Sequence, residues 1–201
     1  MASTAGKVDI FNMALGFVGT RTVASGVERT PEAIQCNLYW DRARRAALRD
    51  YPWSFATRRV ELARKPLPEV YAGVWRYACA LPDGCLKVQR LGQDTEPGRR
   101  TPFAIESDAA GLMLLCDVAS AIAVCTFDVT EVARFDELFV LCMARRLACL
   151  VAVPLLKNNP GKVQELEQLY QMALPQSQGQ DASERRLGES PDAWLQAREA
   201  W

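Results

Sequence analysis

The chain contains no histidine. Histidine is the commonest acid–base residue and metal ligand, so its absence removes every Ser-His-Asp and Cys-His arrangement. A carboxylate-pair or lysine-based site is left open. An excess of one charge is also missing. The 24 Lys and Arg balance the 24 Asp and Glu, so no global basic field points to nucleic acid or to a membrane. No stretch approaches the roughly twenty apolar residues that span a bilayer. Residues 1–10 lack the basic-then-apolar layout of a secretion signal. There is no Walker loop or dinucleotide glycine fingerprint, and Gly16-Phe17-Val18-Gly19 has too few glycines and no lysine after it.

Paired cysteines are missing too. Cys36, Cys79, Cys85, Cys116, Cys125, Cys142 and Cys149 are an odd, scattered set with no two spaced as close metal ligands are. Leu115-Cys116, Val124-Cys125 and Leu141-Cys142 sit in apolar surroundings. The reading is of small buried hydrophobes in a reducing cytoplasm.

What is present is enough for one sizeable domain, or one core with an appendage, in 201 residues with 49% hydrophobic and 24% charged content. Val8, Phe11, Leu15 and Val18 recur at helical spacing, which predicts a helix over 7–18 with Gly19 as its C-terminal cap. After a Gly/Ser/Thr-rich loop, Thr30 caps a second helix with Pro31 in its first turn, running to about Asp50. Ile34, Leu38 and Leu48 supply its apolar positions, and Arg42, Arg44, Arg45 and Arg49 crowd its second half.

Then comes the most distinctive segment, Tyr51-Pro52-Trp53-Ser54-Phe55-Ala56. Pro52 cannot continue the helix and biases Tyr51 towards extended backbone. If the chain is extended here, Trp53 and Phe55 share one face, so Tyr51, Pro52, Trp53 and Phe55 form a structural corner.

Beyond Pro66 and Pro68 the texture changes. Trp75 to Leu81 alternates like a strand and ends in the turn signal Pro82-Asp83-Gly84. Cys85 to Leu91, Phe103 to Glu106, Leu112 to Cys116 and Ile122 to Phe127 read as further strands. Helix returns at Thr130-Glu131, with Thr130 as cap and an apolar stripe from Phe135 to about Val153, where Pro154 stops or kinks it. Lys162 to Met172 is another helix, and after Pro175 the chain turns polar.

That polar tail carries Trp194 and Trp201, large anchors that suit binding to a partner or folding back on the core. The expected fold is α+β, mainly α. A helical bundle (1–69 and 129–175) receives a small antiparallel β-rich insertion (70–128) and ends in an extended C-terminal arm (176–201).

Candidate chemistry is sparse. Glu28 with Glu32, Asp136 with Glu137, and Glu165 with Glu167 could each be cast as acid and base, but each also suits a solvated helix or loop face. Helical spacing puts Arg42, Arg45 and Arg49 on one side, where they can touch phosphates, pair with acidic neighbours, or form an intersubunit surface. A carboxylate-based cell-wall hydrolase and a DNA-binding module are therefore the alternatives to a structural protein.

One resemblance orders these pieces. Ile10-Phe11-Asn12-Met13-Ala14-Leu15-Gly16 is followed by Cys36-Asn37-Leu38-Tyr39-Trp40-Asp41-Arg42-Ala43-Arg44 and then by Tyr51-Pro52-Trp53-Ser54-Phe55-Ala56. Tyr77-Ala78-Cys79-Ala80-Leu81-Pro82-Asp83-Gly84-Cys85-Leu86-Lys87-Val88 comes next, and Trp194-Leu195-Gln196-Ala197-Arg198 closes the series. In this order the chain resembles, over nearly its whole length, the head-to-tail adaptor proteins of tailed bacteriophages, of the tail tubular protein A or tail accessory factor type.

The resemblance implies a non-enzymatic structural protein of the virion, made in the host cytoplasm and placed at the portal vertex. Such proteins form a homo-oligomeric ring, commonly of twelve copies, between the portal protein and the tail nozzle or tail tube protein. Genomic DNA passes through the ring without sequence-specific binding, no cofactor is required and no membrane is involved. The arm bearing Trp194, Leu195, Arg198 and Trp201 would bind the portal. Arg42, Arg45 and Arg49 would face neighbouring subunits or the channel. Glu199-Ala200-Trp201 extends past the usual arm motif, and Trp201 has no assigned role there.

Overall fold

Helix α1, Lys7–Val18, starts where Gly6 N–H donates to Asp9 Oδ2 at 2.7 Å, and ends at Gly19, whose φ of 84° is the left-handed cap conformation. The loop that follows is tied back by Asn12, whose amide makes both hydrogen bonds to the Val23 backbone. Helix α2, Pro31–Asp50, opens with Thr30 Oγ1 accepting from Ala33 N–H. These features come from a computed structural model, which describes residues 5–92, 101–109, 111–157 and 159–184, with side chains in the last span only as far as 173.

The buried stripe of α2 differs from the expected one. It consists of Ala33, Cys36, Trp40, Ala43, Arg44, Ala47 and Leu48. Ile34 and Leu38 are 52% and 59% exposed, so of the three large aliphatics only Leu48 is in the core. Alanine and cysteine let the α2 backbone approach its neighbour closely, and the branched side chains are left on the outer face.

Tyr51 is extended, as the proline requires, with φ −141° and ψ 146°. The chain then tightens into a 3-10 turn over Ser54–Ala56 rather than staying extended. The turn still brings both rings to one place. Trp53 and Phe55 each meet Phe139 edge-on, at 5.3 and 5.1 Å between centroids, and Phe139 meets Phe135 at 4.8 Å. The Trp53 indole is fully buried and donates to Ala47 O at 2.9 Å, which closes the corner onto α2. By the scale of large-to-small core substitutions this side chain is worth about 3–5 kcal/mol.

The β section begins at β1, Thr57–Glu61, and β2, Arg64–Lys65, earlier than residue 70. These charged strands lie at sheet edges, where no apolar alternation is needed, so their sequence gives no strand signal. They are followed by β3, Tyr77–Ala80, β4, Cys85–Leu91, β5, Phe103–Asp108, β6, Gly111–Cys116, and β7, Ile122–Phe127. All pair antiparallel, in a three-stranded sheet β1-β7-β4 and a four-stranded sheet β2-β3-β6-β5.

The sheets share one core, in which Leu62, Val88, Leu91, Leu114, Ala123 and Phe127 meet. Ala78, Met113 and Leu115 face the other way, under Leu67, Tyr71 and Trp75. Strand β6 is therefore covered on both faces, which is why it reads as an unbroken apolar run.

Helix α3, Glu137–Leu155, starts later than expected. Thr130 does not cap it. Val132–Arg134 forms a 3-10 turn, Phe135 is buried, and Asp136 Oδ1 accepts from Leu138 N–H at 2.8 Å. Phe135 packs edge-on against Phe139 in the first turn, which seats the helix start so that Asp136 is its cap. Pro154 does not stop α3 before its last turn.

At 19 residues, α3 is long and apolar enough to cross a membrane, which corrects the expectation that no stretch approaches that length. More than half of it is buried in the fold. Helices α1, α2 and α4, Pro160–Glu184, all pack on it, so its all-round apolarity answers to a core on several sides.

Helix α4 continues through Pro175, so residues 176–184, expected in an extended arm, are helical. A polar composition argues against burial, not against helicity.

The reassigned cap gives a direct check. Asp136→Ala should cost about 1 kcal/mol in urea unfolding, whereas Thr130→Ala should change stability by less than about 0.5 kcal/mol.

Candidate functional site

The arginine-rich half of α2 faces the β section. Arg44 is 3% exposed and reaches Asp128, the residue after β7, with its Nη2 3.0 Å from Oδ1 and 3.2 Å from Oδ2. Asp41, one turn earlier on α2, also approaches Arg44 Nη2 at 3.2 Å. Arg45 Nε donates to Asp128 Oδ2 at 2.9 Å from a largely exposed position. Asp128 N–H in turn donates to Gly84 O, which joins this cluster to the turn before β4. Further along α2, Arg49 Nη1 donates to Leu86 O at 2.8 Å, and Lys87 Nζ returns the contact to Arg49 O at 3.1 Å.

This geometry sorts the expected arginine face. Arg45 and Arg49 are occupied in holding β4 and the end of β7, while Arg42 is exposed. Arg44, not expected in the site, is its buried member. The signal was available, since Ala33, Cys36, Trp40, Arg44 and Ala47 recur at steps of three and four, the inward stripe of a helix. Asp128 carried no signal of its own.

The carboxylates are engaged singly. Glu28 Oε1 accepts from the backbone N–H of Ala24 and of Ser25, and Glu32 pairs with Arg21 at 3.2 Å. Asp136 caps α3, Glu165 pairs with Lys162, and Glu167 accepts from Arg146 and Gln171. Among the described residues, no group of three or more His, Cys, Asp or Glu is placed to hold a metal ion. Burial pushes the Cys36 and Cys149 thiols up to about 12, with Glu32 and Glu167 adding to the effect, so both are inert packing groups. Tyr170 is likewise raised, by burial and by its hydrogen bond to Asp50, which fastens α4 to the end of α2.

Among the described residues, the exposed large apolar side chains of the helices fall in two places. On α2, Ile34 and Leu38 stand one turn apart. Asn37, on the same side of the helix, holds Gly26 O and so brings the 90% exposed Val27 alongside. Where α3 passes into α4, a cleft of about 720 Å³ is lined by Val153, Asn159, Pro160, Val163, Gln164 and Glu167. Leu169 and Met172 are exposed further along α4. The expected arm residues Trp194, Leu195, Arg198 and Trp201 lie outside the described residues.

No protein-family model matches the chain, and no curated protein matches it.

The clamp predicts unequal costs. Asp128→Ala leaves Arg44 buried without its main partner and should destabilise by about 3–5 kcal/mol. Arg45→Ala removes only a screened, exposed pairing and should cost no more than about 1 kcal/mol. Guanidinium unfolding of the two variants measures the difference.

Proposed function

We propose that the chain is a structural head-to-tail adaptor of a tailed bacteriophage. In this reading it forms a ring between the portal protein and the tail nozzle, around the channel through which the genome passes. The helices carry the contacts within the ring, the β section faces the nozzle, and the segment with Trp194, Leu195 and Trp201 docks on the portal. The ordered set of motifs from Ile10 to Arg198 suggests the class.

The observation that best supports an assembling role is the pair of unlike apolar surfaces. One is the outward face of α2 with Ile34 and Leu38, and the other is the α3–α4 cleft with Val153 and Val163. A ring needs a heterologous contact, in which one patch of a subunit meets a different patch of the next. The first patch lies on α2 and the second where α3 meets α4, so they are different parts of the subunit. The clamp at Asp128 suits the same role, because an adaptor passes orientation from one end of the subunit to the other.

The test is co-sedimentation of the full chain with purified portal rings, with negative-stain images of the pellet. The unaltered chain should add a second ring. The double variant Ile34→Asp, Leu38→Asp should keep its helical circular dichroism and lose ring formation at least about tenfold, as expected for a charged group at an interface centre. A chain that never engages portal rings, or a double variant that assembles as well as the unaltered chain, would contradict the reading.

A further inference from the structure

The cleft where α3 passes into α4 can receive a large apolar group. Val153, Pro160 and Val163 give it apolar walls, and Asn159, Gln164 and Glu167 add polar groups. Val163 is partly buried against the helical core, so the cleft reaches down to that core, while Val153 is 61% exposed at its mouth. Its volume of about 720 Å³ lies within the range of clefts that enclose whole ligands, which leaves room for an indole.

The sequence supplies an occupant. Residues 185–201 follow α4 and carry two tryptophans, Trp194 and Trp201, with Gly188 and Pro191 before them as turn residues. Reach decides which anchor arrives. Along α4, Glu184 lies about 32 Å beyond Val163 at 1.5 Å per residue. A chain running back along the helix covers at most about 3.4 Å per residue. Trp194 follows Glu184 by ten residues, a limit of about 34 Å that leaves nothing for the reversal. Trp201 follows it by seventeen, a limit of about 58 Å, and reaches the cleft with slack.

Charge agrees with this choice. Arg198, three residues before Trp201, would arrive beside Glu167. The Glu167 side chain is 45% exposed, and its contacts to Arg146 and Gln171 are long, at 3.4 and 3.2 Å.

We propose that Trp201 docks in the α3–α4 cleft of its own chain, with Arg198 beside Glu167. A tether that spans the gap presents the anchor at an effective concentration on the order of millimolar, above that of a second copy in dilute solution. The chain's own segment is therefore the occupant, and this docking stands without the adaptor reading. Its use rests on that reading. The same cleft is one half of the proposed ring contact, so Trp201 and the Ile34–Leu38 face of the next subunit compete for one site. A free subunit is thereby capped against assembling early, and ring formation frees the segment for the portal.

The test places the photo-crosslinker p-benzoylphenylalanine at the exposed Gln164 of the full chain. The chain alone is irradiated at micromolar concentration and the products are mapped by mass. The expected product joins position 164 to the peptide carrying Trp201 within one monomer. Trp201→Ala should lower its yield at least about tenfold, and Trp194→Ala should leave it within about twofold. No such product, a link to a second copy instead, or a yield indifferent to Trp201→Ala would overturn the docking. In rings assembled on portals the product should disappear, and its persistence there would overturn the competition. Failure of any ring to form contradicts the adaptor reading alone.

Discussion

The contact on which the arrangement depends is the buried ion pair of Arg44 with Asp128. A guanidinium taken out of water must find its carboxylate, because an unpaired buried charge costs more than most single contacts provide. Arg44 lies on the inward stripe of α2, so the end of β7 must come to α2 in one orientation. Arg45, Arg49 and Lys87 add weaker, more exposed ties around it. The Trp53 corner completes the constraint from the other side, fixing where the chain leaves α2 and where α3 begins. Helices and sheets are thereby joined by side chains as well as by the chain itself.

The same helix accounts for the outer surface. Its inward positions are taken by Ala33, Cys36, Ala43 and Ala47, small enough for close approach to the core. Its larger aliphatics, Ile34 and Leu38, are turned out. One side of α2 thus specifies the internal fit and the other offers apolar area to a neighbour. That division suits the proposed assembling role.

Where local chemistry decides, the sequence was legible. The bounds of α1 and α2, the Gly19 cap, the Thr30 cap and the turn at Gly84 follow from residue type and spacing. The five strands from Tyr77 to Phe127 follow from alternation and turn residues. What was not legible was set by tertiary partners. Strand β1 is charged because it is an edge, and Asp136 rather than Thr130 caps α3 because Phe135 is buried first. On the inward face of α2 small residues are buried and the larger Ile34 and Leu38 are not, so side-chain size does not report burial there. Of the candidate site, the arginine cluster was visible, but its direction was not, since Asp128 lies far along the chain and in no motif.

The central claim is that helices and β section form one clamped body. Native-state hydrogen exchange of the unaltered chain and of Asp128→Asn tests it most directly. Amides of the second half of α2 and of β4 should open with the same free energy in the unaltered chain and lose protection together in the variant. If β4 opens independently of α2 in the unaltered chain, or if the variant leaves both unchanged, the clamp does not hold the two parts together.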